Sequence, residues 1–160
     1  MKEATQKSLD ALSIGINAEL AAYVFYKRAG ELLNHKELSP LFEKLAGEEK
    51  DHYWILEAEY DSLVRSEKWV SYNDIMKKSG LPEIPEDMAQ THKTRLAKLE
   101  KSTDPASVLK LAIGLEEEAR DFYKSQLDNI DDPAARDFYT FLTKFEQGHV
   151  TVLTSWLKKL

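Results

Sequence analysis

Apolar residues recur at alternating spacings of three and four through most of this chain, and the alternation breaks only in the middle. Over residues 5–33 the seam runs Leu9, Leu12, Ile16, Glu19, Tyr23, Tyr26, Gly30 and Leu33. Such spacing marks one face of a long amphipathic helix. Asn34-His35-Lys36 reads as a short turn, and Ser39-Pro40 then offers an N-cap and a first-turn proline for a second helix. Its seam is Phe42, Leu45, Glu49, His52, Leu56, Glu59 and Leu63. From Trp69 to about Pro85 the period fails, with turn signals at Gly80, Pro82 and Pro85, and a modest helical piece is expected over 86–101. Thr103-Asp104-Pro105 opens a third long helix, with Leu109, Ile113, Glu116, Arg120, Tyr123, Leu127 and Ile130 on its seam. Asp131-Asp132-Pro133 opens a fourth, carrying Tyr139, Leu142, Glu146, His149, Leu153 and Trp156. The pattern predicts an all-α four-helix bundle in one domain, 1–160, built as a helical hairpin over 5–66, a crossover over 67–104 and a second hairpin over 105–160. A connection of that length suits an up-down-down-up order, in which the second and third helices run the same way.

Polar residues interrupt the seams in a repeating way. Glu49 and His52 form one Glu-x-x-His motif, Glu146 and His149 a second. A seam glutamate lies 30 residues before each motif, Glu19 before the first and Glu116 before the second. All three members recur at one offset of 97 residues. Phe25-Tyr26-Lys27 and Phe122-Tyr123-Lys124 share that offset, as do Leu45 and Leu142. One helical hairpin therefore occurs twice, related by an expected pseudo-two-fold axis.

Residues three apart on a helix share a face, so Glu-x-x-His can aim a carboxylate oxygen and an imidazole nitrogen at one ion. The six side chains together bring a charge of about −4 to one depth of the core. Burying even one unpaired ion costs several kcal/mol, and crowded carboxylates are forced to protonate. Two divalent cations would balance the charge and satisfy the oxygens. Mixed oxygen and imidazole ligands suit iron or manganese. The competing reading is an ionic seam with a purely structural role.

Composition narrows the field. The chain has no cysteine, which excludes disulfides, iron–sulfur clusters and thiolate metal sites. Its net charge is −6 with scattered basic residues, giving no electrostatic case for nucleic-acid binding. The first residues lack the apolar core of a signal peptide, and no stretch approaches the ~20 apolar residues of a membrane span. The expectation is a cytoplasmic protein without a membrane partner.

These motifs resemble the ferritin-like di-iron carboxylate superfamily. Glu19 with Tyr26, and Glu116 with Tyr123, seven residues apart, look like its rubrerythrin and erythrin branch. The resemblance covers about 5–160. It implies two iron ions per chain, with manganese possible and neither haem nor flavin, held by Glu19, Glu49, His52, Glu116, Glu146 and His149. Glu49 and Glu146 would be the bridging pair. It further implies oxidation of Fe(II) with reduction of H2O2 or O2, in defence against oxidative stress. Rubrerythrins carry an additional glutamate three residues after the third-helix ligand, but this chain has Ala119 there and Ala22 at the symmetric place. The expected site is thus a symmetric set of six ligands, closer to that of bacterioferritin. Without cysteine the chain also lacks a rubredoxin-like domain, so electrons must come from a separate donor, such as a rubredoxin-like protein, or from Fe(II) itself. A homodimer is expected. Alternatives are a ferroxidase that stores iron, a substrate hydroxylase, and, from another class, a non-catalytic metal-binding bundle.

The neighbouring side chains divide into two groups. Tyr26 and Tyr123 either hydrogen-bond the ligand carboxylates or are ordinary seam residues. Tyr23 reads as core, Arg120 as a snorkelling surface residue, and Glu59 as drifting to the exposed face or pairing near the bundle end. His35 and His92 read as solvent histidines, and Glu48, Glu117 and Glu118 as solvated. Gly15, Gly47, Gly114 and Gly148 each cost about 1 kcal/mol of helix propensity relative to Ala, which close helix approach would explain.

Overall fold

The structure is a computed structural model that describes residues 3–71, 74–75, 93–102 and 104–160. Helices dominate, and no strand occurs among the described residues. Four long ones form the bundle: α1 (Glu3–Leu33), α2 (Leu38–Ser66), α4 (Pro105–Gln126) and α5 (Pro133–Lys159), while α3 (Lys93–Lys101) is a short helix of the connection. The start of the helical piece expected from residue 86 lies outside the described residues, as does His92. α1 packs chiefly along α2, and α4 along α5. Tyr26 of α1 reaches Glu116 of α4, while Tyr123 of α4 reaches back to Glu19 of α1, so these helices run antiparallel. The order is up-down-down-up, as the long connection requires.

The helix starts follow local chemistry. Asp104 and Asp132 accept hydrogen bonds from the backbone N–H of Ser107 and Ala135, capping α4 and α5 ahead of Pro105 and Pro133. The start of α2 differs from the sequence expectation. Leu38 opens the helix, and His35 Nδ1 accepts from the N–H groups of Glu37 and Leu38 at 3.1 Å each. Ser39 Oγ accepts from the His35 N–H at 2.8 Å. The helix thus begins one residue before the Ser39-Pro40 pair, and the half-buried His35 is a cap, not a free solvent histidine.

Burial follows the seams along α2 and α5; on α1 it shifts to Gly15, Ala22 and Ala29 while Ile16 and Gly30 are only half-buried, and a like shift occurs on α4. There Ala112 and Ala119 face the core, while Ile113 and Arg120 are only half-buried. Small side chains at those two places let α4 sit close to its neighbours, which a hydrophobicity-based seam passes over. Arg120 lies along the surface and donates to Gln147 and Asp121. Gly15 answers to close approach: a Cβ there would lie 3.1 Å from Leu56 and 3.2 Å from Tyr123. Gly47, Gly114 and Gly148 have open space around the same position, so close approach does not account for them.

Glu59 has not drifted to the exposed face; it pairs near the bundle end, the other of the two expected outcomes. It is fully buried at one end of the bundle, and one carboxylate oxygen accepts the backbone N–H of Val70 at 3.0 Å. Its other oxygen has no hydrogen-bond partner. Trp69 lies nearby over Phe138 and Tyr139, closing that end of the core.

Candidate metal centre

The structure brings all six seam residues together halfway along the bundle, each no more than 4% exposed. Their ligand atoms form two overlapping clusters. One holds Glu19, Glu49, His52 and Glu146, the other Glu49, Glu116, Glu146 and His149, with atoms inside each cluster no more than 4.8 Å apart. Glu49 and Glu146 belong to both clusters, the place expected of a bridging pair. The helical repeat produces this arrangement: each Glu-x-x-His motif gives one shared carboxylate and one imidazole, and α1 and α4 each cap one cluster with a glutamate.

Both imidazoles point Nδ1 inward. His52 Nδ1 lies 3.1 Å from Glu146, 3.6 Å from Glu49 and 3.7 Å from Glu19. His149 Nδ1 lies 2.8 Å from Glu49, 3.2 Å from Glu116 and 3.4 Å from Glu146. The two tyrosines cross between helices, and each serves the opposite half. Tyr26 Oη donates to Glu116 and Tyr123 Oη to Glu19, both at 2.6 Å. They are therefore fixed to the candidate ligands as well as packed in the core.

The protein groups alone carry too many carboxyls for an apolar core. Burial pushes Glu49 well above the ordinary carboxylate range, helped by the charges of Glu116, Glu146 and Glu19. Burial does the same to Glu146, with the charges of Glu116 and Glu19 adding to it. Burial also opposes ionisation of Glu19 and Glu116, but their polar neighbours win. The close approach of Glu49 and His52 and the Tyr123 hydroxyl hold Glu19 below its usual value, and the close approach of Glu146, His149 and Glu49 brings Glu116 to about 2. Both imidazoles are driven far up by the surrounding carboxylates despite their burial. Burial and mutual repulsion thus favour protons on the shared glutamates, while the capping pair is favoured as carboxylates and the imidazoles as cations.

A metal ion can do that balancing better. Both oxygens of Glu49, one of Glu116 and one of Glu146 are buried without a hydrogen-bond partner. Unsatisfied carboxylate oxygens cost heavily in a core, and these converge on the space between the clusters. The donor set of oxygen and imidazole nitrogen fits hard or borderline divalent ions such as iron and manganese.

The halves are less symmetric than the six residues suggest. His149 Nε2 lies 2.7 Å from Glu48 Oε2, which anchors the imidazole's outer edge. Glu48 is 29% exposed and its carboxyl is held low by this bond, so the expectation that it is simply solvated is corrected. At the 97-residue offset the counterpart of Glu48 is Phe145, whose ring stands edge-on to His52 at 4.3 Å between centroids. One imidazole is thus set by a carboxylate and the other by a phenyl ring. Sequence reasoning missed Glu48 because it points sideways from its own motif and meets the histidine of the other one. The mismatch Glu48/Phe145 within the repeat was the available signal. Replacement of Glu48 by Gln is expected to weaken divalent-metal binding at the His149 side by about 10–100-fold, leaving the His52 side near wild type. A Mn(II) titration followed by EPR would resolve the two; equal weakening of both, or of neither, would refute the assignment.

No helix among the described residues is long and apolar enough to cross a membrane. Comparison with curated proteins and with solved structures returns no match. A family model described as Rubrerythrin matches residues 10–155, a span that takes in both motifs and both tyrosines. The buried carboxylate and histidine clusters fit the di-iron site expected of such a chain, and by that match the chain belongs to the rubrerythrin family.

Proposed function

We propose that the chain is a non-haem di-iron oxidoreductase that oxidises Fe(II) while reducing H2O2 or O2, and that it protects against oxidative stress. The observation that carries this reading is the pair of clusters sharing Glu49 and Glu146, with buried carboxylate oxygens left without hydrogen-bond partners. Two irons per chain are proposed, held by Glu19, Glu49 and His52 on one side and by Glu116, Glu146 and His149 on the other, with manganese a possible substitute. The chemistry they supply is the pair of one-electron oxidations that matches the two electrons needed to turn H2O2 into water.

The protein contributes fixed geometry and proton positions. Tyr26 and Tyr123 hold one oxygen of each capping glutamate, keeping those carboxylates in one orientation. Glu48 fixes the tautomer of His149, so that Nδ1 faces inward. The shared glutamates and both imidazoles surrender protons when metal binds, and Glu48, the one partly exposed carboxylate at the cluster, leads outward. Electrons for further turnovers come from a separate donor protein, and a homodimer is the proposed assembly.

The test is reconstitution with Fe(II) under anaerobic conditions, addition of H2O2 and optical measurement of iron oxidation. Wild type is expected to oxidise two irons per peroxide. Glu49→Ala, which removes a side chain from both clusters, is expected to lose at least 100-fold in rate, since metal-ligand loss affects both binding and chemistry. If Glu49→Ala reacts like wild type, the proposal fails.

A further inference from the structure

We infer that the cavity walled by Phe141 and Phe145 admits dioxygen to the metal centre, with Phe145 as the side chain that selects it. The inference rests on the di-iron reading above and names the oxidant of that site. It begins from a surface feature that this reading leaves unused. A cavity of about 660 Å³ lies on the outer face of α5, against Ser71 of the segment that follows α2. Ala134, Thr140, Phe141 and Phe145 line it, with Asp137 and Lys144 exposed at its mouth. These α5 positions share one face of the helix, so the lining follows from helical spacing.

The cavity ends one aromatic layer short of the centre. Phe145 is half-buried, and its ring stands edge-on to His52 at 4.3 Å between centroids and to His149 at 5.1 Å. Phe141, also half-buried, lies 6.1 Å from His52 and 5.7 Å from Phe145. Behind these rings, His52 Nδ1 lies 3.1 Å from the shared carboxylate of Glu146. The side chain of Phe145 therefore stands between the cavity and both imidazoles.

The internal repeat supplies a contrast. At the 97-residue offset Phe141 corresponds to Lys44, and Phe145 to Glu48. The same two places hold phenyl rings in one hairpin and a charged pair in the other, where Glu48 meets His149 at 2.7 Å. The helical hairpin does not need phenyl rings there, since its other copy folds with Lys and Glu. What differs is the chemistry of the approach to each imidazole.

That difference sorts what can pass. Dioxygen is uncharged and apolar, so it loses nothing on leaving water for a phenyl-lined gap. Hydrogen peroxide must shed its hydrogen bonds with water there and meets no replacement, and a hydrated metal ion must shed far more. The other approach offers such hydrated species the partly exposed Glu48 carboxylate. Phe145 is thus a specificity-determining residue: it passes O2 on the His52 side and leaves peroxide and ions to the Glu48 side.

The experiment has two arms. In the first, metal-free protein carrying 4-fluorophenylalanine is observed by fluorine NMR, with dissolved O2 or an uncharged polar gadolinium chelate as relaxation agent. Phe122, half-buried on α4 and outside the cavity, is the reference ring. The ratio of O2 effect to chelate effect is expected to be at least threefold higher at Phe145 than at Phe122. Thr140→Trp, which puts bulk into the cavity away from the candidate ligands, is expected to lower the O2 effect at Phe145 at least threefold. In the second arm, Fe(II)-loaded protein is mixed with O2 or with H2O2, and iron oxidation is followed by stopped-flow absorbance. Thr140→Trp is expected to lower the ratio of the O2 rate to the H2O2 rate at least fivefold. Phe145→Glu, which gives this approach the polarity of the Glu48 side, is expected to lower it likewise. An O2-to-chelate ratio at Phe145 no higher than at Phe122, or a rate ratio that neither variant moves, would overturn the inference. If neither oxidant oxidises iron in wild type, the proposed function fails instead, and the metal-free arm still reads the cavity.

Discussion

Loading the chain with two equivalents of Fe(II) or Mn(II) is expected to raise its melting temperature by roughly 10–20 °C. An ion that binds only the folded state, at a free concentration 100 times its dissociation constant, stabilises by about 2.7 kcal/mol, so two give about 5 kcal/mol. In a domain of this size each kcal/mol moves the midpoint by about 2–4 °C. The same titration should release about four protons per chain, one from each imidazole and one from each shared glutamate, because metal replaces protons as the balancing charge. Metal affinity should accordingly fall steeply below neutrality. Anaerobic scanning calorimetry with and without metal, and proton release into a weakly buffered indicator, measure the two effects. A structural ionic seam predicts neither, and it separates in another way as well. Glu49→Leu with Glu146→Leu, in the presence of chelator, should be at least as stable as wild type, since buried ionic groups rarely outdo well-packed apolar ones. A melting shift under about 3 °C at saturating metal, or one that survives Glu49→Ala unchanged, would remove the case for a metal centre.

The repeat made the architecture and the six clustered residues readable from the chain alone, because both depend on periodicity. A carboxylate on a seam position has to be either misplaced or used, and a second copy at a fixed offset argues for use. What escaped were interactions between helices that no local pattern encodes. Glu48 looks like a solvated neighbour of Glu49 until α5 is laid against α2, when it meets His149 at 2.7 Å. The placement of Ala112 and Ala119 in the core depends on how closely α4 approaches the other helices, and hydrophobicity does not rank alanine above Ile113. The cap of α2 was misread for a related reason: Ser39 has the preferred side chain, yet His35 folds back over the helix start and takes two N–H groups. Glu59 kept its seam position and is buried, so the helical period was the better guide than the polarity of the residue.

Glu59 also sets the clearest pH dependence outside the metal centre. Burial raises its carboxyl from the ordinary 4.5 to about 7, with the Asp132 charge adding slightly and the Val70 N–H opposing. The native state therefore binds more protons than the unfolded chain between those values. Stability from this group is fully present below about pH 4.5 and falls as the pH rises, with the loss complete once the pH has passed through 7. A shift from 4.5 to about 7 corresponds to roughly 3 kcal/mol, or about 6–12 °C in melting temperature for a domain of this size. Glutamine keeps an oxygen for the Val70 N–H and carries no charge, so Glu59→Gln should show a flatter profile and exceed wild type in stability at pH 8. Because the carboxylates and imidazoles of the metal centre titrate in both proteins, the informative quantity is the difference between the two curves, measured by thermal denaturation from pH 4.5 to 8.5 with chelator present. That difference should grow with pH and level off above 7. Parallel curves would mean that the carboxylate of Glu59 is solvated as it ionises, and that the end of the bundle beneath Trp69 opens at neutral pH.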